Sequence, residues 1–265
     1  MSDLTSVRLA LDPVYFARKA LGLDALDEWQ ISFLRSTDQR VLCNVHRQGG
    51  KSSMTAVLAL RQALYYPGSL VLILAPSLRQ GLEFFTKVSN CYKRLHGEGL
   101  SVPAESDRKL GLVLENDSRI EVLPGGSEAT VRGFSAPDLV IVDEASRISD
   151  DLFVAILPML TASKGGGRLL LLSTPSGRRG VFWRLWSNQD GSGDGWARIE
   201  VPATEVPRIS SIAIEEARRT LLDWEFAQEM LCSFEANSTS LFDPAALEDA
   251  LDDSFEPLFP EDQAS

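Results

Sequence analysis

The sequence has no apolar run of the ~18 residues that a bilayer-spanning helix needs, and its start, Met1-Ser2-Asp3-Leu4, carries no basic, signal-like segment. Neither a membrane helix nor a secretory leader is therefore expected. Cysteine is scarce: Cys43, Cys91 and Cys232 lie far apart, and none forms a Cys-x-x-Cys pair. They read as reduced core residues of an intracellular protein, with metal binding a remote second. The two histidines, His46 and His96, cannot make a metal cluster unaided and read as loop residues. Positive charge is also short. The net charge is −11, which at first argues against a nucleic-acid partner. Eight of the acids (Asp243, Glu248, Asp249, Asp252, Asp253, Glu256, Glu261, Asp262) fall in a final stretch without Lys or Arg. Setting those eight aside leaves 26 basic against 29 acidic residues, a net of −3 for Met1 to Phe242. Such a body can carry local basic patches, so composition neither shows nor excludes DNA.

What is present suits one large α/β domain with a small appendage: 265 residues, 44% hydrophobic and 24% charged. Val41–Val45, Leu70–Leu74, Leu139–Val142 and Arg168–Leu172 are short apolar runs that read as buried strands, with Trp196–Val201 a last strand. The segments between them read as helices: Met54–Ala63, Leu78–Leu95, Asp151–Leu160 and Val181–Asn188. Two short helices, Val14–Leu21 and Asp27–Leu34, precede the first strand, with Asp27 a plausible N-cap. Leu112–Glu115 and Arg119–Leu123 read as a hairpin across Asn116-Asp117. Ile209–Met230 reads as a helix in two pieces. Strands alternating with helices predict a three-layer α/β/α sandwich with a mostly parallel sheet, whose ligand sites lie beyond the carboxyl ends of the strands.

Two strand ends carry chemistry. After Val41–Val45 comes His46-Arg47-Gln48-Gly49-Gly50-Lys51-Ser52-Ser53, opening a helix. Glycines let backbone N–H groups approach an anion, the helix N-terminus adds its positive end, and Lys51 can reach the phosphates of ATP. Ser52 would place its hydroxyl on Mg²⁺. The first glycine of the usual Gly-x-x-x-x-Gly-Lys-Ser/Thr loop is missing, since Val45 stands there. The second strand end is Leu139-Val140-Ile141-Val142-Asp143-Glu144. Two adjacent carboxylates closing an apolar strand are costly unless something uses their charge. Asp143 would hold Mg²⁺ beside Ser52, and Glu144 would accept a proton from the attacking water. Together they are the signature of a P-loop NTPase with a glutamate base. Ser173-Thr174-Pro175, ending the next strand, fits a sensor of γ-phosphate loss, or an ordinary turn. Gln30 could present its amide to an adenine edge, or lie on a helix surface. Arg47 could reach the γ-phosphate within one subunit. Arg132, in a glycine-flanked loop, could be an arginine finger towards a neighbour or a plain surface arginine.

The order of these motifs resembles the ATPase domain of the large terminase subunit, the genome-packaging motor of tailed double-stranded DNA bacteriophages. The resemblance runs from Leu26–Gln30 through His46–Ser52, Leu74-Ala75-Pro76-Ser77, Val131-Arg132-Gly133, Val140–Ala145 and Leu172–Pro175 to Gln228–Phe234. The variant loop, with arginine four before the lysine, is the form usual in that family. The resemblance implies a RecA-like P-loop ATPase core over residues 1–201, a lid subdomain over 202–242 and an acidic linker or tail over 243–265. It maps Gln30 to the adenine contact and Arg47 to the loop arginine. Lys51 and Ser52 map to the phosphate and Mg²⁺ ligands, with Gln48, Gly49, Gly50 and Ser53 completing the ATP-binding loop. Asp143 and Glu144 map to metal-site acid and catalytic base, Ser173, Thr174 and Pro175 to the coupling motif, and Arg132 to a trans-acting finger.

The implied partners are double-stranded DNA, the portal protein, the small terminase subunit and further copies of the chain. Those copies would form a ring, expected as a pentamer, from a chain monomeric when isolated. The implied place is the host cytoplasm, transiently at the procapsid portal and not in the mature virion, with no membrane contact. The family's nuclease domain is expected to be absent, because nothing beyond Phe242 offers a strand bearing metal-binding carboxylates. Two rivals stand beside this reading: a helicase-like translocase of the same class, and a non-catalytic module that docks on the portal.

Overall fold

The computed structural model describes residues 3–125 and 131–235. Its sheet follows from the apolar runs. β1 (Arg40–Val45), β2 (Leu70–Ala75), β6 (Leu139–Asp143), β7 (Arg168–Ser173) and β8 (Ala197–Val201) are joined in parallel, and β5 (Arg119–Pro124) pairs in parallel with β2. β4 (Gly111–Leu114) is antiparallel to β5, and β3 (Ala104–Arg108) is antiparallel to β4. The spatial order is β3-β4-β5-β2-β6-β7-β1-β8. β1, β2, β6 and β7 are buried along nearly their whole length, because helices cover both faces.

Alternation along each strand divides the core in two. Val41, Cys43 and Val45 of β1 face α1 to α5, whereas Leu42 faces the other layer. The first layer holds α1 (Asp3–Leu11), α2 (Pro13–Leu21), α3 (Glu28–Arg35), α4 (Lys51–Tyr65) and α5 (Leu78–Gly97); the second holds α6 (Asp150–Thr161) and α7 (Gly180–Ser187). Caps fix the ends. Asp12 Oδ1 accepts from Val14 and Tyr15 N–H at 3.0 and 3.1 Å, and Ser77 Oγ accepts from Gln80 N–H at 3.3 Å. The expected three-layer, mostly parallel α/β/α architecture is what the chain adopts. Among the described residues no helix is long and apolar enough to cross a membrane.

Two elements depart from expectation. α1 was not anticipated, because Leu4, Val7 and Leu11 remain exposed and leave little apolar periodicity to read. β3 (Ala-Glu-Ser-Asp-Arg) has no strand signature because, as an edge strand, it pairs on one side only. The two helical pieces after β8 are α8 (Ser211–Thr220), none of whose residues is buried, and α9 (Asp223–Leu231). The stretch 236–242 of the expected lid and the expected tail 243–265 lie outside the described residues.

Candidate nucleotide-binding site

The turn between β1 and α4 is shaped by what its glycines avoid. A Cβ on Gly49 would sit 2.4 Å from Val45 Cγ1, and Gly50 adopts φ 95°, a left-handed conformation. The turn closes with Gly49 N–H on His46 O at 2.8 Å, and Met54 N–H on Gly50 O starts the helical ladder. Lys51 therefore becomes the first residue of α4, with its side chain only 3% exposed. Gln48 is exposed, and Ser52 and Ser53 are half-buried on the first turn.

β6 ends beside it. Ser52 Oγ donates to Asp143 Oδ2 at 3.3 Å, and Lys51 Nζ lies 3.4 Å from Glu144 Oε1. Glu144 takes φ 52°, ψ 47°, a conformation that costs a non-glycine residue roughly 1–3 kcal/mol. Burial, reinforced by the adjacent Glu144 charge, pushes the Asp143 carboxyl up to about 6, against the pull of Lys51 and the Ser52 hydroxyl. Among the described residues Lys51 Nζ, Asp143 Oδ1 and Glu144 Oε2 are buried without a hydrogen-bond partner; the Lys51–Glu144 approach is an ion pair without hydrogen-bond geometry. A buried ammonium and two buried carboxylate oxygens left unmade favour an anion on one side and a cation on the other. Ser52 and Asp143 are the oxygens this chain offers a hard divalent cation, and the described residues hold no cluster of three or more His, Cys, Asp or Glu. That donor set fits Mg²⁺, which takes one or two carboxylates and fills its shell from phosphates and water.

The loop after β7 is tied to this strand end. Ser173 Oγ lies 2.6 Å from Ser146 Oγ and accepts from Ser146 N–H at 3.1 Å, while Ser146 Oγ donates to Thr174 O at 2.9 Å. Ser173, Thr174 and Pro175 are all buried. The loop continues to Gly177, whose N–H donates to Gln228 Oε1 of α9 at 3.1 Å, and to Arg178, whose Nε donates to Phe234 O at 2.9 Å. Asn44 Nδ2 donates to Cys232 O at 2.7 Å, and His46 Nδ1 meets Glu229 O at 2.8 Å. The end of α9 thus touches both the glycine turn and the β7 loop. Burial pushes the Cys43 and Cys232 thiols up to about 12, and all three cysteines are free and buried.

The other expected residues sit further out. Gln30 is buried, with Oε1 accepting from Asp27 N–H at 3.0 Å and Nε2 donating to Gly49 O at 3.3 Å, so its amide braces the turn. Arg47 points outward, its Nε 3.3 Å from Glu229 Oε2. Arg132 is exposed, and residues 126–130 just before it lie outside the described residues. Arg208 carries no motif and was not anticipated. Its Nη1 donates to Asp27 Oδ2 at 2.6 Å and its Nη2 to Gly49 O at 2.9 Å, clamping the turn from beyond β8.

No family model matches the chain. A curated relative, the terminase large subunit of Thermus phage G20c, is 28% identical over 241 residues, covering 80% of this chain and 49% of the relative. The chain thus spans about half the length of that relative. The large terminase ATPase domain of Thermus phage P74-26 superposes with a TM-score of 0.70 at 24% identity, covering 82% of this chain and 96% of that domain. The large terminase of another thermophilic bacteriophage, in complex with ADP, gives 0.63 at 11% identity, covering 80% of this chain and 54% of that one. In sequence, then, the chain is similar to phage terminase large subunits, and in fold to a large terminase ATPase domain.

Proposed function

We propose that this chain hydrolyses ATP to ADP and phosphate as the ATPase of a phage genome-packaging motor, driving double-stranded DNA into a procapsid. The observation that carries the reading is the meeting of Lys51 and Ser52 with Asp143 and Glu144, from two distant strand ends, with Lys51 Nζ, Asp143 Oδ1 and Glu144 Oε2 buried and without hydrogen-bond partners. The glycine turn and Lys51 bind the phosphates. Ser52 and Asp143 hold Mg²⁺, which when bound neutralises phosphate charge. Glu144 orients the attacking water and accepts its proton. Arg47, and Arg132 of a neighbouring subunit, stabilise charge developing on the phosphate. Gln30 contacts the adenine.

Residues 202–242 act as the lid. Its α9, tied to Ser173–Pro175 through Gly177, moves with turnover and changes the grip on DNA. The working form is a ring, expected as a pentamer, on the portal protein with the small terminase subunit, in the host cytoplasm. Turnover per chain measured against protein concentration tests this reading, with Arg132→Ala alongside. A rate that rises with concentration and collapses in Arg132→Ala is the expected result. A low, concentration-independent rate untouched by that substitution would remove the neighbour's arginine from the site. No turnover at any concentration, with or without DNA, would sink the ATPase reading.

A further inference from the structure

We propose that a second site, at the amino-terminal ends of the central strands, binds the phosphate groups of a nucleic-acid backbone. It is a groove of about 560 Å³, with Leu11 and Tyr66 among its apolar lining residues and Arg35, Arg61 and Arg168 as its cationic ones. These arginines come from three elements. Arg35 ends α3, Arg168 opens β7, and Arg61 lies late in α4, ~15 Å along the helix from Lys51. The groove is thus distinct from the nucleotide site, which lies at the carboxyl end of the parallel β1 and the start of α4.

Three guanidiniums in one groove on an acidic protein need explaining, because they are poorly neutralised. Among the described residues none of the three is in an ion pair. The carboxylate lining the groove, Asp12, caps α2 through Oδ1 and, among the described residues, forms no ion pair with them. Arg168 is held in place by backbone carbonyls, its Nε on Asp38 O at 2.9 Å and its Nη2 on Ser36 O at 3.0 Å. Arg61 Nη2 donates to Ala10 O, while its Nε is buried without a partner. Burial lowers the Arg168 pKa from its ordinary value; the pull of Asp38 works against this, and the like charge of Arg61 adds the smallest share. An entering anion would add a partner for Arg61 and Arg168, whose guanidiniums are already held by backbone carbonyls.

The shape favours a polymer over a free phosphate. A second open hollow of about 550 Å³ shares Gln62 and Tyr66 with the first, so the track continues past the arginines. Tyr66, 50% exposed, stands where the two hollows meet and offers an aromatic face to a sugar or base. This site deepens the DNA-translocation reading above and rests on it, giving the chain a backbone contact remote from the ATP.

The test is fluorescence anisotropy of a short labelled duplex with the full chain, titrated over a range of salt. Arg35→Glu is the first variant, because Arg35 is exposed and, among the described residues, holds nothing together; Arg61→Gln and Tyr66→Ala follow. The expected result is about tenfold weaker binding for Arg35→Glu at low salt, with the slope of log K against log salt shallower by about 1. DNA-free ATP turnover and Tm should match the unmodified chain. If that chain binds duplex and all three variants bind it with the same affinity and slope, the groove is overturned while the packaging reading stands. If the unmodified chain turns over ATP but binds no duplex, the DNA partner itself falls, and the groove with it. Tripolyphosphate binding that Arg35→Glu abolishes, without any duplex binding, would mark a small-anion site and overturn the nucleic-acid assignment.

Discussion

Lys51 Nζ and Glu144 Oε1 stand 3.4 Å apart, both largely buried, and each group still has hydrogen-bonding capacity unused. Lys51 is the cation paired with Glu144 among the described residues, so a phosphate that engages the ammonium competes for it and frees the carboxylate. Glu144 is then a base whose readiness depends on an occupied site. Glu144→Gln keeps the shape, removes the proton acceptor and relieves the like charge on Asp143. Turnover should fall by roughly 10²–10⁴, the usual worth of a general base. The Kd for ATP, measured by calorimetry, should stay within about threefold of the unmodified chain, since removing a group that acts in the chemical step leaves ground-state binding in place. Parallel loss of binding and turnover would remove Glu144 from the role of base.

Asp143 makes the apo protein's stability depend on pH. Its carboxyl is raised from 3.8 to about 6, so the folded state holds this proton more tightly than the unfolded chain does. The contribution is therefore fully present below 3.8 and is lost as pH rises through about 6. A shift of that size is worth ~3 kcal/mol. In a metal-free buffer well above pH 6, Asp143→Asn should accordingly melt at a higher temperature than the unmodified chain. The gain should shrink as pH falls through the window and vanish below it. A gain that is the same at every pH would mean Asp143 is not raised. The substitution should at the same time remove Mg²⁺-dependent turnover.

Arg208 predicts an effect on binding without one on chemistry. Its guanidinium joins Asp27 to Gly49 O, so it holds the turn in the shape that presents N–H groups to phosphate. The side chain is half-exposed, and the contact is worth about 1 kcal/mol. Arg208→Ala should raise the KM for ATP several-fold with kcat within about twofold, because about 1 kcal/mol is a factor of roughly five. Arg208→Lys, which keeps the charge but cannot bridge both partners at once, should recover only part of the loss. A fall in kcat with KM unchanged would place Arg208 in the chemical step.

The contrast between Lys51 and Arg208 shows what was legible beforehand. Lys51, Asp143 and Glu144 could be placed because each stands at the end of an apolar run, and such runs become buried parallel strands that deliver their ends to one edge. Gln30 stands out in the sequence as well, but its bracing of Gly49 O depends on how α3 lies against the turn. Arg208 lies on no periodic element, and Asp27 is 181 residues away, so nothing local marks the pair. Ser146 was hidden for the same reason: its partner is Ser173, across the β6–β7 pair. Registers and strand ends are written in local pattern, whereas clamps between loops are made only when the sheet closes.

The last prediction concerns Arg47, which in this structure faces Glu229 of α9 at 3.3 Å. Both side chains are partly exposed, so the pair contributes less than about 1 kcal/mol to stability. α9 is held independently by the Asn44–Cys232, His46–Glu229 backbone and Gly177–Gln228 contacts. Glu229→Gln should therefore leave Tm nearly unchanged and leave α9 docked, while releasing the guanidinium on the phosphate turn. If Arg47 serves the phosphates, turnover in the isolated chain should rise several-fold, and Arg47→Ala placed on top of Glu229→Gln should cancel the gain. A double-mutant cycle on kcat reads this directly, since the two residues touch and their effects should not add. Additive effects, or a rise in turnover that survives Arg47→Ala, would show that Glu229 restrains the site by some route other than this arginine.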